Sequence, residues 1–294
     1  VEQLVQLPTQ VITASDPAML SLRASYEAGI AMAHGAKRDE LAVVQASVST
    51  LDAYPELAEI GTYAIPYRQH TRACKDGPWA ARQSCKCPIT SWAKGPGIHL
   101  AVMMAADYGY CRDEARVYPS EEGRVLVEGV FVDFVRARMC VRQRMVSRAR
   151  KGKGGGVYQM SEPDFSKEVE INASKMHRNA ILKGLPRRIT ETVYQHAAKI
   201  CEQQVQDEGT AEAWNKAVVF FADRGVGEDR LVAVLGKGAP AELRAADIVN
   251  LRHLVRTIQA QIVSVEQVFG VAASDGRAAD AGKPMGAATE ERDD

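Results

Sequence analysis

From about Ser15 the apolar positions fall at helical spacing. "SDPAML" offers a capping serine, an acid and an early proline, and the pattern continues through "LRASYEAGIAMA" to about Ala33. A second helix is expected from Lys37 to Leu51, where Leu41, Val44 and Val48 share one stripe. "YPELAEIGTYAIPYR" mixes turns with short apolar groups. Residues 69–90 have no clean period, which predicts a loop with a short strand edge. Gly95, Pro96 and Gly97 then turn tightly into a helix from about Ile98 to Tyr108.

The period changes at "RVLVEGVFVDFV" (124–135). Branched and aromatic residues occupy both alternating sets there, Val125, Val127 and Phe131 against Leu126, Val130, Val132 and Phe134, as in a central strand. Residues 136–146 continue as a strand of strict asymmetry. Helical periods return at about 164–184, stopped by Pro186, and at about 188–207. Residues 211–268 read as short helices separated by glycine and proline. Residues 1–14 read as a lead-in strand or arm, and the small, polar tail from Val271 to Asp294 as disordered. No internal repeat is visible.

Composition changes this picture little. The 294 residues carry 37 basic and 37 acidic side chains, so net charge says nothing about a polyanionic partner and only its distribution can. No apolar run is long enough to span a bilayer, and "VEQLVQLPTQ" lacks the order of a signal peptide, so a cytoplasmic location is expected. Six sparse cysteines fit a reducing compartment. His70, Cys74, Cys85 and Cys87 cluster in sequence, but Cys85 and Cys87 are too close for the usual zinc-finger hook, and polar-loop cysteines are the expectation. No cofactor is expected.

The distribution of charge is informative at "RARMCVRQRMVSRARKGKGGG" (136–156), which has eight basic residues and no acidic one. On a strand, Arg136, Arg138, Arg142 and Arg144 line one face, with Met139, Val141 and Met145 packing the other. Arg148, Arg150, Lys151 and Lys153 follow, before a glycine run that predicts a mobile hairpin. Such a stretch suits a nucleic-acid backbone; a solvated sheet face is the rival explanation. Tyr158 stands just past the glycines, placed either to stack on a base or to pack on the sheet edge. A second basic group, Lys175, His177, Arg178, Lys183, Arg187 and Arg188, lies on the helix pair. Lys175 and Arg178 have Glu168 and Glu170 as alternative partners.

In order, "YPELAEIGTYAIPY", "GPGIHLAVMMAADYGY", "VLVEGVFVDFV" with its basic strand, and "NASKMHRNAILKGLP" resemble phage single-strand annealing proteins of the RecT-like and Erf-like kind, over about residues 25–210. The resemblance implies an α+β fold, with a curved antiparallel sheet and hairpin backed by helices. It implies an annealing core over 1–210, a C-terminal helical region over 211–268 and a tail over 269–294. It also implies ATP-independent binding of single-stranded DNA, pairing of complementary strands through an annealed duplex intermediate, and self-assembly into rings or helical filaments. A phage exonuclease or a host single-strand binding protein would be further partners. The implied groove takes Arg142, Arg144, Arg148, Arg150, Lys151 and Lys153 from the hairpin side, and Lys175, Arg178, Lys183, Arg187 and Arg188 from the helix side. The chain departs from the family pattern at His99, often basic in relatives, and at Asp133, which runs straight into Phe134 without an acid-rich break.

Two other classes remain. A phage structural or assembly protein would share the oligomeric habit without needing a cationic groove. A metal nuclease would draw on Asp107, Asp113, Glu114, Glu128 and Asp133, but Glu128 and Asp133 face opposite ways on a regular strand. No "GxxxxGK[ST]" phosphate loop is present.

Overall fold

The structure, a computed structural model, describes residues 17–68, 89–120, 123–151, 156–260 and 262–269. The lead-in at 1–14, the His70/Cys74/Cys85/Cys87 group, Lys153 and the tail from Val271 lie outside the described residues.

The chain begins with α1 (Pro17–Ala33), α2 (Glu40–Ala53) and α3 (Glu56–Gly61), followed by β1 (Thr62–Arg68) and β2 (Ile89–Pro96). Next come α4 (Ile98–Tyr108), β3 (Cys111–Ser120), β4 (Arg124–Asp133), β5 (Arg138–Ser147), β6 (Ala149–Lys151) and β7 (Val157–Gln159). The remaining helices are α5 (Glu162–Gly184), α6 (Arg187–Glu208), α7 (Thr210–Ala222), α8 (Glu228–Val234), α9 (Ala245–Gln259) and α10 (Val265–Phe269), with a short 3-10 turn at Pro240–Glu242. The described residues up to Tyr63 form one compact unit with Lys94–Gln204, and the described residues of 64–93 form a second with those from Val205 onward.

The fold is α+β, but the expected single curved sheet is not there. The strands form three small antiparallel sheets, β1–β2, β3–β4–β5 and β6–β7. The break after β5 has a local cause. Arg148 is where one ladder hands over to the next: its N–H bonds the Gly123 carbonyl at the end of β4–β5, and its carbonyl accepts from Met160 N–H at the start of β6–β7. The basic strand also starts later than its sequence pattern suggests. Residues 134–137 form the β4–β5 turn, closed by Asp133, whose carboxylate accepts the N–H groups of Val135 (3.1 Å) and Arg136 (3.2 Å). Arg136 therefore belongs to the turn.

Helix α5 is the backing of the central sheet. Ser161 caps it by accepting from Asp164 N–H, Pro163 sits in its first turn, Glu162 and Asp164 meet its positive end, and Lys183 lies in its last turn. Its residues Phe165, Val169, Ala173 and Met176 pack on Val125, Val127 and Val146. The approach is close enough to demand Gly129, since a Cβ there would overlap the backbone of Met176. In α6, Ile189, Val193, Ala197 and Cys201 recur every fourth residue and are all buried.

Cross-strand pairing assigns the sheet faces. Val127 pairs with Arg144, Gly129 with Arg142, Phe131 with Cys140 and Asp133 with Arg138. Directly paired residues share a face, so the arginines of β5 lie on the same side as α5. This corrects the expected division into a solvated arginine face and a packed apolar face. Met139, Val141 and Met145 point to the opposite side and are exposed. Helix α5 covers the sheet face that carries Val127 and Val146, so the apolar set of the edge strand lies on the side away from that helix.

In the second unit, Trp214, Phe221, Leu231, Ile248, Leu251 and Leu254 build a separate helical core from α7, α8 and α9. Lys216 and Arg252 both pair with Glu208. Among the described residues no helix is long and apolar enough to cross a membrane.

Candidate nucleic-acid interface

The fourteen basic and aromatic residues singled out by sequence separate into distinct groups. Arg138, Arg142 and Arg144 are exposed on β5 and make no ion pair among the described residues. Arg142 and Arg144 stand two residues apart on an edge strand, about 7 Å along it, and Arg138 lies four residues before Arg142, about 13 Å away on the same face. Across the gap to α5 stands Lys175. Its pKa is held below the usual lysine value, first by partial burial and then by Arg144 and Arg178; Glu168 pulls the other way. Three cations thus crowd one flank of the helix and the neighbouring strand.

Other arginines are committed within the protein. Arg136 pairs with Glu40 (2.6 Å), Arg148 with Glu162 (2.7 Å), Arg150 with Glu168 (2.8 Å) and Arg187 with Glu191 (3.1 Å). Arg148 also donates to the Met160 carbonyl, which makes it a brace between the end of β5 and the start of α5. Lys151 ends β6, and Lys183 and Arg188 are exposed near the α5–α6 junction. Tyr158 is exposed on β7 opposite Arg150.

Arg178 differs from both groups. Its guanidinium lies over the Tyr63 ring, 4.9 Å from the centroid. Its Nε (3.2 Å) and Nη2 (3.0 Å) both donate to Asn179 Oδ1. Of the two readings of Arg178, the pairing with Glu168 or Glu170 is not made; an aromatic ring and an amide stand there instead. Tyr194 lies nearby; its pKa is raised, first by burial and then by Tyr63 and Cys201. Tyr63, Asn179 and Tyr194 were not legible as site residues, because no sequence spacing relates β1 to the middle of α5.

The candidate carboxylates have partners inside the protein. Asp107 accepts from Ser47 (2.7 Å), Asp113 meets His177 Nε2 (2.8 Å) and Glu114 holds Arg112 and Arg116. Glu128 accepts from Gln143, Arg116 and Tyr118 on the face away from α5. Asp133 is 1% exposed and receives Arg38 (2.9 and 3.0 Å) and Tyr108 (2.8 Å) besides the two turn N–H groups. Burial alone would raise its pKa; those hydrogen bonds outweigh burial and hold it below the ordinary value. Tyr108 is pushed up to about 12, first by burial and then by its bond to Asp133. Among the described residues no group of three or more His, Cys, Asp or Glu side chains is placed to hold a metal ion.

The arrangement that remains is three arginines on a sheet edge with no ion pair among the described residues, facing a cationic helix flank, with Arg178 at the inner end. No family model, no curated protein and no solved structure matches this chain.

Proposed function

We propose that this chain binds single-stranded DNA and anneals complementary strands without ATP, in phage-type homologous recombination within the cytoplasm of a bacterial host. The observation that carries the reading is the Arg142–Arg144–Lys175 group. Like charges brought this close repel one another and cost stability. Arg142 and Arg144, which make no ion pair among the described residues, make sense in this group when a polyanion supplies the balancing charge. A particle-assembly protein would have no use for such a row. The motif resemblance supplies the reaction class, and the edge-strand arginines supply a backbone track with a spacing close to that of successive phosphates.

The protein works as an oligomer in this reading, since three edge arginines track only a few nucleotides. The central sheet leaves β3 and β5 as outer strands, and such edges are available for pairing between copies. The helical second unit is free to recruit a phage exonuclease or a host single-strand binding protein.

The test is fluorescence anisotropy with a labelled single strand and the matching duplex across a salt series, with quenched-fluorophore annealing in the absence of magnesium and ATP. Tighter binding to the single strand, steep salt dependence and faster annealing are expected. Equal affinity for both forms, with no acceleration of annealing, overturns the reading. Negative-stain images with and without oligonucleotide report the assembly.

A further inference from the structure

Cations on a strand edge attract any polyanion. Phosphate contacts carry no base information, and duplex offers more phosphate charge than a single strand. Arg142, Arg144 and Lys175 therefore give affinity and leave unexplained how a single strand is preferred. The missing element is a surface that takes an unstacked base.

We propose that the guanidinium of Arg178 is a stacking platform for one nucleobase of a bound single strand, with Tyr63 and Asn179 as the residues that position it. This rests on the single-strand reading above and names what would make that site selective. Arg178 lies on the same helix flank as Lys175, one turn further along, next to the phosphate track. Its guanidinium carbon lies 4.9 Å from the centroid of the Tyr63 ring, and two of its nitrogens donate to Asn179 Oδ1. Tyr63 is in turn braced at its hydroxyl end by Gly95, where a Cβ would lie 3.2 Å from the phenol oxygen. A salt bridge is the ordinary reason for a half-buried arginine to hold one orientation, and Arg178 has none among the described residues. A planar cation held flat is suited to the π-face of a base, as arginine planes and aromatic rings are in single-strand recognition. Stacking tolerates any base, which fits strand annealing, where sequence is read by the complementary strand. Bases inside a duplex are closed to it.

The test uses the full chain with two oligonucleotides of equal length, one oligo-dT and one carrying abasic sites in place of thymines, so that phosphate charge is constant. Wild-type protein is expected to bind the base-bearing strand about tenfold more tightly, the scale of one stacked base. Arg178→Lys keeps the charge and removes the plane, so it should lose that preference while the salt dependence stays unchanged. Tyr63→Phe keeps the supporting ring and should retain the preference; Tyr63→Leu should lose it. If Tyr63→Leu fails to fold, Arg178→Lys and Tyr63→Phe carry the comparison. Arg144→Ala tests the underlying reading separately, by lowering salt dependence on both oligonucleotides. Equal binding of the two strands by wild type, with the Arg144→Ala effect intact, overturns the stacking platform alone. Retention of the preference in Arg178→Lys also overturns it. Absence of single-strand binding by wild type overturns both.

Discussion

Strands β4 and β5 are two arms of one hairpin, paired over ten rows from Arg124–Ser147 to Asp133–Arg138, and they have opposite fates. Every residue of β4 from Val127 to Asp133 is buried. In β5 only Val146 is, and both faces of the strand are otherwise largely open. The two strands share backbone geometry and register, so the difference lies in what stands above them. Helix α5 approaches β4 so closely that a glycine is required, and on β5 only Val146 is buried against it. A central strand can be hydrophobic on both faces. An edge strand beyond the cover must carry its own charge or present a liability, and here it carries arginines on one face and exposed methionines on the other.

The sharpest contrast within that pairing is the row Asp133–Arg138. Asp133→Ala removes the acceptor for Arg38, Tyr108 and two turn amides, leaving a buried guanidinium uncompensated. A loss of about 3–5 kcal/mol is expected, read as a lowered melting temperature, while Arg138→Ala should stay within about 0.5 kcal/mol of wild type. Acid sharpens the same comparison. The folded-state pKa of Asp133 lies below its unfolded value, so its contribution is complete above the ordinary carboxylate range and is lost as pH falls through the folded pKa. Wild-type protein should lose stability below about pH 4. Asp133→Asn should start less stable at neutral pH and decline less steeply there. Parallel acid limbs in the two proteins would remove Asp133 from the account.

Four rows further in, Gly129 faces Arg142. Gly129→Ala forces a methyl group against the Met176 carbonyl, which is backbone and cannot swing aside. Destabilisation of roughly 1–3 kcal/mol is expected. Arg142→Ala should leave the melt within about 0.5 kcal/mol and act on DNA affinity. If both substitutions destabilise equally, β5 is covered in solution by something that the isolated chain does not show.

What the sequence disclosed follows the same line. The hairpin, the long helices and the glycine–proline turn into α4 were legible because each depends on a local period or breaker. The strict alternation of arginine and apolar residues in β5 was legible too, and it pointed to the wrong face. Periodicity says that two sets diverge and leaves open which set meets the helix. That was fixed by Val146 and by the pairing of Arg142 with Gly129, which are tertiary facts. The extent of the sheet was lost for a related reason, since at Arg148 the partner changes from Gly123 to Met160, a change no local pattern marks. Strand β3 was missed because "CRDEARVYPS" has no clear alternation; its charges pair across and along the sheet. At the candidate interface, charge was visible in the sequence and pairing was not. Nothing local told Arg150, held by Glu168, from Arg144, which makes no ion pair among the described residues.

That last distinction yields the next smaller effect. If the interface is the open part of β5, Arg142→Ala and Arg144→Ala should each lower the slope of log affinity against log salt by about 0.7, the value for one phosphate contact on a single strand. Arg136→Ala and Arg148→Ala should lower it by much less, since their charge is already compensated by Glu40 and Glu162. A uniform effect across all four would mean that net charge alone matters and that the geometry of the strand does not.

The smallest effect belongs to the other face of the same strand. Met145 shares a row with Leu126 and Tyr118 and is 50% exposed; Met139 shares one with Val132 and Arg112 and is 61% exposed. Polar replacement of a residue that remains half in water forfeits little burial, so Met139→Thr and Met145→Thr should each change stability by less than about 0.5 kcal/mol. Threonine also suits a strand, which offsets part of the loss. Val132, in the same row as Met139 but on β4, is buried, and Val132→Thr should cost about 1–3 kcal/mol by placing a hydroxyl where no partner waits. The comparison is one melting experiment on two residues of one row. If Met139→Thr proves as damaging as Val132→Thr, then the exposed face of β5 is buried under the conditions of the melt. The concentration dependence of the melting temperature would then show whether a second copy of the chain provides the cover.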